Sequence, residues 1–256
     1  MNDLKQPTAI IVADSHFHLN PDQAERQRVA EFLELLDLAT RADHLVLLGD
    51  IFDFWFDYHH FRLKGYDSIL QALDRVRDSG TRIHFIGGNH DIWAASFMHQ
   101  RYDCSPTGET EIIQFGNRRL RFIHGDGLLK FDWAYNSFRA VVRTRTGIVL
   151  AKSLHPEILF ALSTWLSGRS RSATRDEASR IVARAQKWLG SQDADRQGSD
   201  TWDLMVMGHF HHGFQIEAGS LKLACLPGWF DTLGYGLLQN DEFRLLDLAR
   251  DPLPDL

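Results

Sequence analysis

The chain has 256 residues, 44% hydrophobic and 24% charged, values of an ordinary globular protein that exclude a disordered or fibrous one. Its formal net charge of -6 argues against a nucleic-acid partner, so any anion it binds must be drawn by a local feature. Its two cysteines, Cys104 and Cys225, make neither a disulfide framework nor a zinc-binding pair, and no stretch reaches the ~20 apolar residues of a membrane span.

Met1 to Pro7 is polar and carries no positive-then-apolar leader, so the expected setting is the cytoplasm, with surface attachment to a membrane still open. A length of 256 residues fits one domain over the whole chain. Ala9 to Ala13 reads as a buried strand that ends at Asp14, and Ala24 to Thr40 as an amphipathic helix with Val29, Phe32, Leu33 and Leu36 on one face. Leu45 to Leu48 is a second strand, ending at Gly49-Asp50. Ser68 to Ser79 follows as a helix with Ile69, Leu70, Leu73 and Val76 inward and Gly80 as its stop. Ile83 to Ile86 is a third strand, before Gly87-Gly88-Asn89. Glu111 to Phe115 and Arg118 to Ile123 pair as a hairpin about Gly116-Asn117, its second strand running into His124-Gly125-Asp126.

Residues 128–190 differ in character, being helical in pattern and rich in aromatics and arginine, and read as an insertion; Ser191 to Asp200 reads as a polar loop. Leu204 to Met207 is a further strand before Gly208-His209. Phe214 to Glu217, Leu221 to Cys225 and Tyr235 to Leu238 suggest a second, more antiparallel sheet. Strand alternating with helix implies crossover connections and an α/β fold with a largely parallel sheet, in which ligands gather beyond the carboxyl ends of the strands.

The polar clusters stand at those ends. Asp14-Ser15-His16 sets two ligand types two residues apart, which on an extended strand end would point the same way. Gly49-Asp50-Ile51-Phe52-Asp53 puts a carboxylate behind a glycine that lets the backbone turn sharply. Gly88-Asn89-His90-Asp91, His124-Gly125-Asp126 and Gly208-His209-Phe210-His211 complete the set. Mixed oxygen and nitrogen donors suit Mn, Fe, Zn or Mg. Two such cations ~3.5 to 4 Å apart need a shared carboxylate, for which Asp50 is the natural candidate. A lone Asp-x-His is weak evidence; the ordered set is not.

That ordered set, D-x-H, G-D, G-N-H-D, a later H and G-H-x-H, resembles the signature of the calcineurin-like metallophosphoesterases over residues 10–212. The resemblance implies a two-sheet αββα sandwich and a pair of divalent cations, Mn foremost, that activate water against a phosphate ester or anhydride. It assigns Asp14, His16, Asp50 and His211 to one cation, and Asp50, Asn89, His124 and His209 to the other. His90 matches the family's general acid. Asp53 either orients His90 or is a plain loop acid.

Phe52 to Tyr58 is strongly aromatic, and Phe52, Phe54, Trp55, Phe56 and Tyr58 are expected beside the metals. This segment resembles that of the bacterial UDP-2,3-diacylglucosamine hydrolases, which cleave a nucleotide-linked glycolipid to UMP and a lipid monophosphate in lipid A synthesis. In that family a helical lid stands where 128–190 lies, and Trp133, Arg139 and Arg143 are expected to bind substrate there along with Trp55 and Phe56. Such a lid, with apolar and cationic faces, suits a phosphorylated lipid or the inner face of the cytoplasmic membrane. The chain departs from many members of that family by carrying His90 where they carry arginine. Two other readings are a phosphatase or phosphodiesterase acting on a soluble nucleotide or sugar phosphate, and an inactive binding module on a phosphoesterase fold.

Overall fold

A computed structural model describes residues 6–56, 65–126, 128, 178–194 and 201–256. The first half begins as expected, with β1 (Ala9–Val12), α1 (Gln23–Ala39), β2 (His44–Leu48), α2 (Asp67–Asp78) and β3 (Arg82–Ile86), and adds a helix not anticipated from the sequence, α3 (Ala95–Tyr102). Then come β4 (Thr110–Phe115), β5 (Arg118–Ile123), α4 (Ala178–Ala194), β6 (Leu204–Met207), β7 (Phe214–Ala218), β8 (Leu221–Cys225), the short α5 (Trp229–Thr232), β9 (Gly234–Gln239) and β10 (Glu242–Asp247).

The strands form two five-stranded sheets, ordered β10-β9-β1-β2-β3 and β4-β5-β6-β8-β7. In the first, β1, β2 and β3 run parallel, with β9 antiparallel on the far side of β1. The second is mixed, since β5, β6 and β8 are parallel neighbours and only its edges are antiparallel. Two expectations change here. Tyr235 to Leu238 belongs to the first sheet, where Ile10 pairs with Leu237, and the second sheet is less antiparallel than its short loops suggested.

Why the central strands read as unbroken apolar runs is clear from their two faces. Ile10, Val12, Leu45 and Leu47 pack with Phe32, Leu36 and Leu73 of the helical layer. Ile11, Val46 and Leu48 face the other way and meet Leu120, Phe122 and Val206 of the second sheet. Strands buried on both faces have no polar alternation, and each fully buried side chain of this size contributes roughly 2 kcal/mol. On the outer face of the second sheet, Ile181 and Leu189 of α4 cover Met205, Met207 and Leu223. The layers are therefore helix, sheet, sheet, helix. The last part of the expected 128–190 insertion is thus a sheet-covering helix, and it runs on to Ala194, into the stretch expected to be a loop. Residues 129–177 of the insertion, with Trp133, Arg139 and Arg143, lie outside the described residues, as does Tyr58.

Candidate metal centre

The five polar clusters converge although they come from both sheets: those after β1, β2 and β3 from the first, those after β5 and β6 from the second. The strand ends are tied together by backbone hydrogen bonds, Asp14 N to Gly49 O at 3.0 Å, His16 N to Asp50 O at 2.9 Å and Gly208 N to His124 O at 3.0 Å. Across the seam, His209 N donates to the two Asp14 carboxylate oxygens at 3.1 and 2.9 Å.

The local backbone differs from the extended one expected. Asp14, His16, Asp50, His209 and His211 all have left-handed φ, between 47° and 72°. For residues with a Cβ this conformation costs on the order of 1 kcal/mol or more each, and it turns each side chain off its strand toward a common point. Gly49 carries the same turn at φ 82°, and a Cβ there would lie 2.3 Å from His124 Nδ1. At Gly88 a Cβ would lie 2.1 Å from Asp50 Oδ1, so the third loop can approach the Asp50 carboxylate only because that position is glycine.

Three groups of potential ligand atoms result, each within 4.8 Å: Asp14, His16 and His211; Asp50, His124 and His209; and His16, Asp50 and His90. In the first, the Nε2 atoms of His16 and His211 approach to 3.4 Å, and His211 Nε2 is 3.6 Å from Asp14 Oδ1. In the second, His124 Nε2 is 3.3 Å from Asp50 Oδ2 while its Nδ1 is 3.1 Å from Leu48 O, an acceptor that fixes the ring's orientation. Asn89 Oδ1 is buried without a hydrogen-bond partner. A buried carbonyl oxygen left in that state is costly unless a cation or water satisfies it.

The electrostatics agree. Burial would raise the Asp50 carboxyl, but His124 and His90 hold it well below the usual carboxylate range. Burial would lower His124, yet Asp50 raises it to about 10, so the space between them favours positive charge. Burial and the neighbouring His124 push His209 down to about 3, which keeps its ring neutral and able to donate a lone pair. The donor set fits two divalent cations. Asp14, His16, Asp50 and His211 could hold one, and Asp50, Asn89, His124 and His209 the other, with Asp50 between them.

His90 lies at the rim of this cluster, its Nδ1 3.1 Å from Asp53 O and 3.4 Å from Asp53 Oδ1. Its ring meets that of His16 edge to face at 4.8 Å. Burial would lower His90, but Asp50 and then Asp53 raise it to about 9.

The aromatic run behaves otherwise than expected. Phe52 and Trp55 turn into the core, where Trp55 stacks on Tyr66 and meets Phe97 at a tilt rather than facing the ligand cluster. Phe56 is buried edge-on to Trp93. Their ring partners are Tyr66 just before α2, Trp93 just before α3 and Phe97 within α3. Instead, Phe230 stands beside His16 at a centroid distance of 6.3 Å, with the Arg28 guanidinium 4.6 Å over its ring.

Two carboxylates went unassigned in the sequence. Asp231 Oδ2 is 3.0 Å from His211 Nδ1. Asp91 is fully buried and accepts from Gly88 N and Ile51 N at 2.8 Å each and from Asp50 N and Phe52 N at 3.2 Å, clamping the second loop to the third. Asp91 was visible inside Gly88-Asn89-His90-Asp91 but stood without a role; Asp231 carried no motif at all.

Residues 8–150 match the family model of the calcineurin-like phosphoesterase superfamily domain. The chain belongs to this superfamily. Among its relatives, a UDP-2,3-diacylglucosamine hydrolase of Pseudomonas fluorescens Pf-5 is 31% identical over 256 residues, covering 96% of each chain. A protein of the same name from Pseudomonas putida KT2440 is 29% identical over 238 residues, covering 91% of this chain and 95% of its own. A third, from Pseudomonas savastanoi pv. phaseolicola, is 30% identical over 248 residues, covering 91% and 92%. No helix among the described residues is long and apolar enough to cross a membrane.

Proposed function

We propose that the protein is a two-metal hydrolase that cleaves the pyrophosphate of UDP-2,3-diacylglucosamine to UMP and 2,3-diacylglucosamine 1-phosphate. The observation that carries the chemistry is the convergence of Asp14, His16 and His211 with Asp50, His124 and His209, ligand groups that meet around one buried carboxylate. What favours the nucleotide-linked lipid as substrate is the similarity to hydrolases of that name along 96% of the chain.

In this reading Asp14, His16, Asp50 and His211 hold one cation and Asp50, Asn89, His124 and His209 the other, Mn first among the candidates. Bound there, the pair supplies charge neutralisation on the phosphoryl oxygens and acidifies water. The protein's own groups do the rest. Asp53 orients His90, and His90 delivers a proton to the departing phosphate oxygen. The left-handed loop residues hold the ligands in place before substrate arrives, so little reorganisation accompanies reaction. Trp133, Arg139 and Arg143 contact the lipid, which the enzyme meets at the inner face of the cytoplasmic membrane.

The test is product analysis. Purified protein loaded with Mn and given UDP-2,3-diacylglucosamine in detergent should release UMP and the lipid monophosphate in equal amounts. Turnover of soluble nucleotide or sugar phosphates alone would overturn the lipid assignment, and retention of two metals with no turnover of any ester or anhydride would overturn the enzyme assignment.

A further inference from the structure

Beyond the cation ligands and the Asp53–His90 pair lies a second imidazole that those roles leave unused. His18 stands just past Phe17, whose backbone is tied to the second loop: Phe17 N donates to Ile51 O at 3.0 Å, and Asp53 N donates to Phe17 O at 2.9 Å. This short parallel bridge brings His18 Nε2 to 3.6 Å from Asp53 Oδ2. On its other side, His18 Nδ1 is 2.8 Å from Glu25 Oε2, and the His18 amide donates to the same carboxylate.

Glu25 is an unusual residue to find buried, at 3% exposure in the first turn of α1. Asp22 caps that helix by accepting from Glu25 N at 2.8 Å. In the common capping arrangement the acid three residues on folds back to the cap's own N–H; here its carboxylate instead grips His18 at both ring and backbone. A buried carboxylate retained for one imidazole needs that imidazole to stay where it is. The line of contacts therefore runs from Glu25 through His18 to Asp53, and from Asp53 to His90.

We propose that His18, anchored by Glu25, is a positioning residue that fixes the Asp53 carboxylate and through it the orientation of His90. The inference rests on the reading of His90 as the proton donor. His18 touches neither substrate nor cation in this scheme; it sets the geometry of a group that does. In this position the ring lies 3.6 Å from Asp53 Oδ2, while Oδ1 faces His90 Nδ1 at 3.4 Å and His16 Nδ1 at 3.6 Å.

The experiment is a double-mutant cycle on the Mn-loaded enzyme, with kcat, KM and metal content measured on UDP-2,3-diacylglucosamine and on a chromogenic phosphodiester. His18→Ala should lower kcat about 10-fold with KM within about twofold and two metals retained. Added to His90→Asn, it should slow the enzyme no further, because the group it positions is already gone. Glu25→Gln, which keeps the shape of the helix turn, should give a smaller loss with the same non-additivity, and it carries the cycle if His18→Ala fails to fold. An unchanged kcat, a loss of metal, or losses that multiply with that of His90→Asn would overturn the proposal while leaving His90 in its role. A His90→Asn enzyme as fast as the parent would overturn the reading of His90, and this inference with it.

Discussion

Asp231 Oδ2 lies 3.0 Å from His211 Nδ1, so a residue of the turn before β9 governs the orientation of a ring 20 positions earlier. Burial would lower the His211 pKa, but Asp14 and then Asp231 raise it, and Asp231→Asn keeps the size of the side chain while removing the second of those charges. A lost carboxylate behind a metal-bound imidazole costs roughly 10- to 100-fold in metal affinity. Calorimetric titration with Mn should show that loss in one of two sites, and two unchanged sites would remove Asp231 from this role.

Asp50 faces both ligand groups, and its Oδ2 is 3.3 Å from His124 Nε2 and 3.9 Å from His16 Nε2. Asp50→Ala is therefore expected to abolish cation pairing and turnover together. Elemental analysis checks it: a variant that still holds two metals per chain would take the bridging role away from Asp50.

Gly49 tests how tightly the loops are packed. With φ at 82° and His124 Nδ1 only 2.3 Å from where a Cβ would stand, Gly49→Ala should destabilise the fold by ~2 kcal/mol or more and displace His124. Urea unfolding of the metal-free protein measures the first effect, and an unshifted midpoint would mean that the loop accommodates a methyl group.

His44 supplies a pH prediction away from the cations. Its Nδ1 is 3.0 Å from His84 Nε2, and His84 Nδ1 is 2.9 Å from Glu111 Oε1. Burial, then the neighbouring His84, lowers the His44 pKa to about 4. In the unfolded chain a histidine titrates near ~6.5, so as pH falls the unfolded state takes the proton first. This contribution to stability is whole above ~6.5 and is lost as pH falls toward about 4. Discounted for partial exposure the loss is on the order of 1 kcal/mol, roughly 2–4 °C in Tm. His44→Gln should flatten the Tm profile over that range, and an identical slope in the variant would dismiss the ring as its source.

The parts of the fold that could be read from sequence are those where burial is total. Val46 and Leu47 face opposite layers, yet both are apolar, and so β2 announced itself. β10 did not: as an edge strand with Glu242, Arg244 and Asp247 it lacks such a run. Tyr235 to Leu238 was legible as a strand but not as a neighbour of β1, because pairing across more than two hundred residues leaves no local trace. The ligand set was legible as an ordered series of motifs. Its backbone was not, since nothing about an aspartate or histidine advertises a positive φ. The direction of the aromatic run was equally hidden: Trp55 meets Phe97 from a distant helix, and that contact, not the neighbouring metal motif, decides where the indole goes.

Three of the ligand-bearing loops hang from one sheet and two from the other, and the interior between them is filled by Ile11, Val46, Leu120, Phe122 and Val206. Those side chains act as the spacer of a calliper. A change of one methylene in that spacer, far below the reacting atoms, would be read out above as a different gap between the jaws.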